Sequence, residues 1–274
     1  MDYNIFQKNG IFILDESFGE KIHFSNKTRK LNYLLSEFSH SGIMSQGSIF
    51  SNNCFALAQY SKKLNTKFLF LAISEKKFNI NDYPNMRLSK ELGAKIIHIS
   101  KKNAFKEIEK FKNKFKNYLW IPGGGHTQGS LNEYYKLAKK IFNERPDIIN
   151  KIDWILLPFA TGTTAGGFLK ATNELKKNIK VIGVSVSRNK NRCLESILEI
   201  LSKDNLENLK VVDDFKGMYG KISKGDENIR DRFHKEFKIL IDPIYNIRSI
   251  DYFYKNKLKN GLIINTGGSA NNLL

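Results

Sequence analysis

The sequence predicts an α/β protein with mostly parallel sheets flanked by helices. Short apolar runs alternate with segments of helical periodicity over most of the 274 residues. The apolar runs are nearly continuous, which is typical of strands that are covered by helices on both faces. Hydrophobic residues make up 41% of the chain and aromatic residues 12%, so the chain can bury a large core.

The predicted elements follow one another without an internal repeat or a long linker. The strand segments, short and apolar, are residues 11–14, 67–74, 95–99, 118–121, 154–158, 180–186, 239–241 and 262–264. The helical segments are residues 27–38, 51–64, 83–92, 128–142, 165–175, 192–201 and 229–237. The pattern is interrupted weakly near residues 40–42 and at residues 143–151, where polar residues surround Pro146.

The chain is strongly basic. It contains 45 Lys and Arg residues and 27 Asp and Glu residues, which gives a formal net charge of +18. The densest basic run, residues 101–116, carries Phe105, Ile108, Phe111 and Phe115 at helical spacing. We interpret it as an amphipathic helix with a solvated lysine face. No recognised nucleic-acid motif accompanies it, so no nucleic-acid partner is predicted.

Several classes are disfavoured by composition. Cys54 and Cys193 are the two cysteines, too few for a disulfide framework or a four-thiolate zinc site, and no metal is predicted. Residues 1–10 lack the apolar core of a signal peptide, and no window approaches about 18 uninterrupted apolar residues. The sequence therefore predicts a soluble, cytoplasmic protein without a membrane partner.

Three glycine-rich turns follow predicted strands. Residues 158–168 (PFATGTTAGGF) place small and hydroxyl residues between a strand and a helix, which is the arrangement that binds a phosphate. The turn lacks a Walker lysine and the dinucleotide fingerprint, so neither a nucleoside triphosphate nor NAD is favoured. The other two turns are residues 121–127 (IPGGGHT) and 265–269 (NTGGS).

A basic segment, residues 24–31 (FSNKTRKL), lies at a predicted helix start and contains Lys27 and Lys30. On its own it is typical of an ordinary basic helix. A lysine near a helix N-terminus and a phosphate loop, however, has its ammonium form disfavoured, which lowers its pKa and makes the amine a nucleophile.

Five motifs together resemble one enzyme family. They are SNKTRKL (25–31), SIFSNN (48–53), ATGTTAGG (160–167), DPIY (242–245) and NTGG (265–268). This order resembles the 1-aminocyclopropane-1-carboxylate deaminase and D-cysteine desulfhydrase family, whose members are pyridoxal-phosphate enzymes of fold type II. The resemblance covers nearly the whole chain from about Gly10. It implies two open sheets in two domains, with residues 42–134 as a smaller inserted domain and residues 1–41 and 135–274 as the larger one.

The resemblance also implies roles for the cofactor-binding residues. Lys27 would bind the cofactor covalently and later move the substrate Cα proton, and Lys30 would neutralise the cofactor phosphate. Thr266 would lie beside the pyridine nitrogen, and Asn52 would reach the phenolic oxygen of the cofactor. The phosphate would be held by the loop residues Thr161, Gly162, Thr163 and Thr164.

The implied substrate site begins at the helix that Ser51 starts. Ser51, Asn52 and Asn53 would hold the substrate carboxylate, Tyr245 would stack near the pyridine ring, and Tyr219 would be a second active-site phenol. The partner implied is a small amino acid, and the assembly implied is a homodimer.

Departures from the family pattern concern the substrate more than the cofactor. Asn53 replaces Gln or His, His126 replaces a small residue, and Asn246 stands where the deaminases carry an acid. Because Thr266 and Asn246 are unlike the deaminases, the prediction is β-elimination from D-cysteine. The alternatives are 1-aminocyclopropane-1-carboxylate deamination and a non-catalytic basic binding protein.

Overall fold

The computed structural model describes residues 3–17, 25–213 and 219–268. The strands in these ranges are β1 (Ile5–Lys8), β2 (Ile11–Asp15), β3 (Gly42–Ser48), β4 (Lys67–Ser74), β5 (Lys95–Ser100), β6 (Tyr118–Ile121), β7 (Trp154–Phe159), β8 (Lys180–Ser185), β9 (Leu209–Val212) and β10 (Gly261–Asn265). The α-helices are α1 (Asn26–Leu34), α2 (Asn52–Lys63), α3 (Pro84–Glu91), α4 (Ala104–Lys114), α5 (Gln128–Glu144), α6 (Pro146–Lys151), α7 (Thr163–Glu174), α8 (Lys190–Leu198), α9 (Lys224–Phe237) and α10 (Asn246–Lys255).

The larger sheet has six strands in the order β1-β2-β10-β7-β8-β9. All neighbours pair in parallel except β1, which forms an antiparallel pair with β2. Alternate residues of the strands face opposite layers, as the two-residue period of a strand requires. Leu157 and Ile264 pack with α5, α7 and α8 on one face, while Leu156 and Ile263 pack with α9 and α10 on the other.

The smaller sheet has four parallel strands in the order β5-β4-β3-β6. One face is covered by α2 and α3, and the other by α4. Leu31 of helix α1 and Leu35, its C-cap residue, contribute to the core beneath α2, and α1 also packs on α5 of the larger sheet. The predicted fold class, two mostly parallel sheets flanked by helices, is confirmed.

All four strands of the smaller sheet lie within residues 42–121, inside the predicted insertion of residues 42–134. The predicted boundary at residue 134 falls within the continuous helix α5, whose apolar face packs on the larger sheet. We propose that the smaller domain ends before α5 and that α5 belongs to the larger domain.

The predicted strand at residues 239–241 is wrong. The side chains alternate as in a strand, since Ile239 and Ile241 are buried and Leu240 is 53% exposed. The backbone nevertheless forms no ladder with any strand in the described residues, and the Leu240 carbonyl instead accepts a hydrogen bond from Asn265 Nδ2 at 3.1 Å. A period-two pattern shows which side chains are buried, but it does not show whether the backbone has a neighbouring strand.

The predicted amphipathic helix at residues 101–116 is confirmed as α4, which a 3₁₀ turn precedes. Phe105 does not share its apolar face, however, because Phe105 is 83% exposed whereas Ile108 is buried. Within the described ranges, no helix combines the length and the apolar character that crossing a bilayer requires.

Candidate active site

A cavity opens where the larger sheet meets α1 and the N-terminus of α2. It lies beyond the carboxyl ends of β7 and β10, where open α/β sheets place their ligands. The lining residues are Asn26, Lys27, Lys30, Asn52, Pro158, Ala160, Thr161, Gly162, Thr163, Thr164, Ala165, Tyr245 and Thr266. The structure thus brings together all eight residues predicted to bind the cofactor, and Tyr245 with them.

Lys27 lies in the first turn of α1. The helix begins with a capping box, in which Ser25 Oγ accepts from the backbone of Lys27 and Thr28 Oγ1 accepts from the backbone of Ser25. Lys27 Nζ donates to Asn26 Oδ1 at 2.8 Å. Burial lowers the pKa of Lys27 to about 8, although the Asp242 carboxylate opposes the shift. An appreciable fraction of this amine is therefore unprotonated and nucleophilic near neutral pH.

Lys30 follows one helical turn later and is 2% exposed. Its Nζ donates to the Gly124 carbonyl at 3.2 Å, so the turn at residues 121–127 belongs to the site. Burial, and then the charge of Lys27, lower the pKa of Lys30 well below its usual range, while Glu16 opposes the shift. A buried ammonium needs an anionic partner, and a bound phosphate would be one.

The loop between β7 and α7 has the geometry of a phosphate cradle. Gly162 is the N-cap of α7 with φ of +80°, and a Cβ at this position would lie 2.7 Å from Phe159 Cζ. Glycine is therefore required for the turn. The first N–H groups of α7 point out of the helix, and the hydroxyls of Thr161 and Thr163 lie 3.1 Å apart. Thr164 Oγ1 accepts from Asn26 Nδ2 at 3.3 Å, which joins the loop to α1.

The start of α2 holds the three residues predicted to bind a carboxylate. Ser51 is the N-cap, so the backbone N–H groups of Asn52 and Asn53 lie in the first turn. The Asn52 side chain lines the cavity, donates to Asp242 Oδ2 at 3.2 Å and accepts from Asn85 Nδ2 at 2.8 Å. The Asn53 side chain donates to Ser45 Oγ at 3.2 Å, so it is directed to β3 and not among the groups lining the cavity.

The two predicted phenols are in direct contact. Tyr245 and Tyr219 place their hydroxyl oxygens 2.6 Å apart, and Tyr219 also lies 3.2 Å from Ser48 Oγ. Tyr245 lines the cavity, whereas Tyr219 lines an adjoining cavity with Arg188 and Asp213. Burial raises the pKa of both hydroxyls, that of Tyr245 to well above its usual range. Both therefore keep their protons at neutral pH.

Thr266 and Asn246 form a neutral pair at the end of β10. Asn246 Oδ1 accepts from Thr266 N at 3.0 Å and from Thr266 Oγ1 at 3.1 Å. Asn246 is 1% exposed, and its Nδ2 finds no partner in the described part of the chain. Because Oδ1 takes two donors, the amide orientation is fixed, and the pair brings no formal charge to this end of the cavity.

Two buried carboxylates near the site had no role in the sequence prediction. Asp242 Oδ1 accepts from the backbone of Ile244 at 2.9 Å, its Oδ2 accepts from Asn52, and its charge acts on Lys27. Glu16 pairs with Arg29 at 3.1 Å and lies 2.9 Å from the Tyr134 hydroxyl. Asp242 belongs to the DPIY motif, and this motif was the one sequence feature that could have indicated a role for it. No sequence motif links Glu16 to Arg29, because the two residues lie apart in the chain.

His126 lies in a loop, as predicted, but it has close partners. Its Nδ1 is 2.8 Å from Thr163 Oγ1, and its Nε2 is 2.9 Å from the Ser196 carbonyl. Cys54 is fully buried, and burial raises the pKa of its thiol to about 12.

Comparison with known proteins agrees with this geometry. The profile of the pyridoxal-phosphate dependent enzyme family matches residues 3–216. The chain is 26% identical to the 1-aminocyclopropane-1-carboxylate deaminase of Cyberlindnera saturnus, over 89% of this chain and 81% of that protein. It is also 26% identical to the enzyme of that name from Ralstonia nicotianae, over 82% of this chain and 74% of that protein.

Solved structures show the same fold. The crystal structure of an ACC deaminase homologue superposes with a TM-score of 0.78 at 22% identity, covering 95% of this chain and 85% of that one. A hydrogen sulfide-producing enzyme from Fusobacterium nucleatum superposes with a TM-score of 0.65 at 16% identity, covering 98% and 92% of the two chains.

The fold and the cavity define an enzyme of fold type II. The chain belongs to the pyridoxal-phosphate dependent enzyme family, and the resemblance drawn from the motifs is confirmed. The residues present fit the cofactor, because one cavity holds an amine with a lowered pKa, a second buried lysine and a glycine-threonine loop at a helix N-terminus.

Proposed function

We propose that this enzyme is a lyase that eliminates a β-leaving group from a small amino acid, with D-cysteine as the type substrate. The products would be pyruvate, ammonia and sulfide. The observation that carries this choice is the neutral pair of Asn246 and Thr266. A carboxylate at this position would keep the pyridine nitrogen protonated and strengthen the electron sink, as opening a cyclopropane ring would need. Loss of a thiolate is an easier step that a weaker sink can support.

Lys27, Lys30 and the residues of the β7–α7 loop would hold the cofactor. Pyridoxal phosphate, when bound, supplies an electron sink for the negative charge that develops at the substrate Cα. Lys30 and the N–H groups of the loop would bind the phosphate, with Thr161 and Thr164 beside it. The Asn52 side chain would contact the phenolic oxygen. Its hydrogen bonds with Asp242 and Asn85 would fix its orientation.

The substrate carboxylate would lie at the start of α2. The Ser51 hydroxyl and the backbone N–H groups of Asn52 and Asn53 belong to this helix end, where the helix dipole favours an anion. The contribution of Asn53 would come from its backbone, because its side chain is bonded to Ser45. This clamp would orient the Cα–H bond toward Lys27.

Lys27 would carry the proton at Cα. Its amine has a pKa of about 8, so it can release the proton it has accepted as well as accept one. Removal of that proton by Lys27 Nζ leaves an electron pair at Cα that expels the thiolate from Cβ. Released 2-aminoacrylate then reacts with water to give pyruvate and ammonia.

Tyr245 would supply a proton to the departing sulfur. Its hydroxyl stays protonated because burial raises its pKa, and Tyr219 lies 2.6 Å away to replace the proton. Ser48 Oγ, 3.2 Å from the Tyr219 hydroxyl, extends this chain of hydroxyls.

The second candidate is deamination of 1-aminocyclopropane-1-carboxylate, which the names of the two curated relatives favour. It would use the same lysine and the same carboxylate clamp. The alternative of a non-catalytic binding protein is opposed by Lys27, Lys30 and the glycine-threonine loop meeting in one cavity.

The test is a product assay with purified, cofactor-loaded enzyme. Pyruvate and 2-oxobutyrate release would be measured over a panel of D- and L-amino acids and 1-aminocyclopropane-1-carboxylate. We expect pyruvate from D-cysteine and little or no 2-oxobutyrate from the cyclopropane. A wild type that opens the cyclopropane ring faster than it desulfurates D-cysteine would establish the second candidate instead.

A further inference from the structure

His126 connects the phosphate loop to the C-terminal end of α8. The imidazole Nε2 lies 2.9 Å from the Ser196 carbonyl and 3.4 Å from Glu199 Oε2. Both neighbours accept hydrogen bonds, so Nε2 carries a hydrogen in every protonation state that keeps these contacts. In the neutral ring, Nδ1 is therefore the lone-pair nitrogen, and the Thr163 hydroxyl at 2.8 Å donates to it.

This arrangement determines where the threonine hydroxyls direct their protons. A hydroxyl has one proton, and the Thr163 hydroxyl donates its proton to Nδ1 of neutral His126. Thr161 Oγ1, 3.1 Å from Thr163 Oγ1, is then the donor in that contact. With neutral His126, the Thr163 oxygen thus offers only lone pairs to an anion in the loop. A phosphate dianion requires donors.

Protonation of His126 reverses this pattern. With a hydrogen on Nδ1, His126 donates to Thr163 Oγ1, and the Thr163 proton is released toward the cavity. The imidazolium also places a positive charge behind the loop, and it faces the α8 carbonyl end and Glu199, both of which favour a cation.

We propose that His126 is a positioning residue of the phosphate site, which takes up a proton when a tetrahedral dianion binds and thereby turns the Thr163 hydroxyl toward it. The proposal rests on the phosphate site proposed above. His126, which departs from the family pattern, would thus make cofactor affinity depend on pH.

The charges around His126 set the direction of this linkage. Burial, followed by the charges of Lys30 and Arg188, lowers the pKa of His126 to about 4, although the hydrogen bond to Ser196 opposes the shift. A bound dianion would counter Lys30 and raise the pKa of His126. A group whose pKa rises on binding takes up a proton, so the contribution of His126 to affinity is present at low pH and lost as pH rises through the pKa of the bound form.

Sulfate is a suitable probe because, unlike phosphate, it does not titrate in this range and does not react with Lys27. The pKa of the His126 ring would be measured by NMR in the full-length protein without ligand, with sulfate, and with pyridoxal phosphate. The His126→Asn variant assigns the resonance. We expect the pKa to rise by at least one unit with either ligand. The factor by which His126 raises sulfate affinity should fall with increasing pH between the two pKa values, by no more than about tenfold per pH unit.

The His126→Asn variant is also the matched chemical test. An amide can accept from Thr163 through oxygen or, after a flip, donate to it through nitrogen, so it needs no proton. When sulfate binds at a pH between the two pKa values, we expect the variant to take up fewer protons than the wild type, by about half a proton for a one-unit rise, as calorimetry in buffers of different ionisation enthalpy would show. His40→Asn, at an exposed position, should leave proton uptake unchanged.

The outcomes separate this proposal from the phosphate site itself. Lys30→Ala and Thr163→Val should weaken sulfate binding if the loop holds phosphate. Weakened binding in these variants, together with an unchanged His126 pKa in the wild type, would overturn the role of His126 and leave the site intact. Sulfate binding that is absent, or that neither variant weakens, would remove the phosphate site and the proposal together.

Discussion

The two ends of the cavity carry different chemical groups. At the loop end, defined by Lys30 and the β7–α7 loop, a buried lysine faces hydroxyls and the N-terminus of a helix. At the β10 end, defined by Thr266 and Asn246, an amide and a hydroxyl satisfy each other without a formal charge. The loop end is therefore suited to anchoring an anion, and the β10 end to setting how strongly the cofactor withdraws electrons. Cofactor affinity and reaction choice should thus be separable by mutation.

The largest effect is expected at Lys27, which lines the same cavity. Lys27→Ala removes the amine that binds the cofactor and moves the Cα proton, so turnover should fall by at least about 10²–10⁴-fold. The absorption band of the lysine-bound cofactor, which borohydride should abolish in the wild type, should be missing. Circular dichroism should remain native.

Lys63→Ala, an exposed change at the end of α2, is the matched control and should keep both the chromophore and the activity. Substantial activity and a yellow band in the Lys27 variant would contradict its assignment.

A change confined to the loop end should weaken binding more than chemistry. Lys30→Ala removes a buried, charge-assisted contact of about 1.5–3 kcal/mol, which corresponds to roughly ten- to a hundred-fold in cofactor affinity. Turnover at saturating cofactor should fall much less. The measurement is a fluorescence titration of ligand-free enzyme with pyridoxal phosphate. An unchanged affinity would show that Lys30 does not contact the phosphate.

Changes at the β10 end should alter chemistry with little effect on cofactor affinity. Asn246→Glu introduces a charge at the pair, and Thr266→Leu removes one of the two donors to Asn246 Oδ1, while the backbone N–H at residue 266 still donates to it. Pyruvate release from D-cysteine should fall in both variants. The double variant should be non-additive, since the two side chains are in contact. Additive effects, or a loss of cofactor binding equal to that of Lys30→Ala, would show that the two ends of the cavity do not control reaction choice and cofactor affinity separately.

The smallest effect concerns pH. With a pKa of about 8, the Lys27 amine is protonated below that pH and free above it. The rate of cofactor loading, followed by stopped-flow absorbance, should therefore rise through about pH 8 and then level off. Asp242 raises the pKa of Lys27, so Asp242→Asn should move the profile to lower pH.

Asp251→Asn, at a surface carboxylate that pairs with Lys255, is the control and should leave the loading profile in place. A profile that keeps rising to pH 10 would mean that burial does not depress the pKa of Lys27.

The parts of the site that the sequence predicted are those carried by contiguous motifs. Lys27 and Lys30 are three residues apart at a helix start, and Gly162 precedes a helix after an apolar strand, so local patterns were sufficient. The hydrogen bond of Asn52 to Asp242 joins residues 190 positions apart, and the contact of His126 with Thr163 joins different glycine turns. No local pattern reports such pairs.

The fold shows the same limit. Strand β3 (Gly42–Ser48) was not predicted, because its apolar residues are followed by Ser45, Gln46 and Gly47. It is nevertheless central, since β4 and β6 pair with it on both sides. Helix α10 was also not predicted, although its buried residues Ile247, Ile250 and Phe253 follow helical spacing.

The two cysteines give each sheet its own reporter of local opening. Cys54 lies in the core under the smaller sheet and Cys193 in the core of the larger one, and both are fully buried. Because neither thiol is exposed, reaction with an alkylating reagent requires that the surrounding helix first move away. Burial also raises the pKa of both thiols, which slows the reaction. The labelling rates of Cys54 and Cys193, measured separately by mass spectrometry with and without cofactor, would show which half of the molecule ligand binding holds closed.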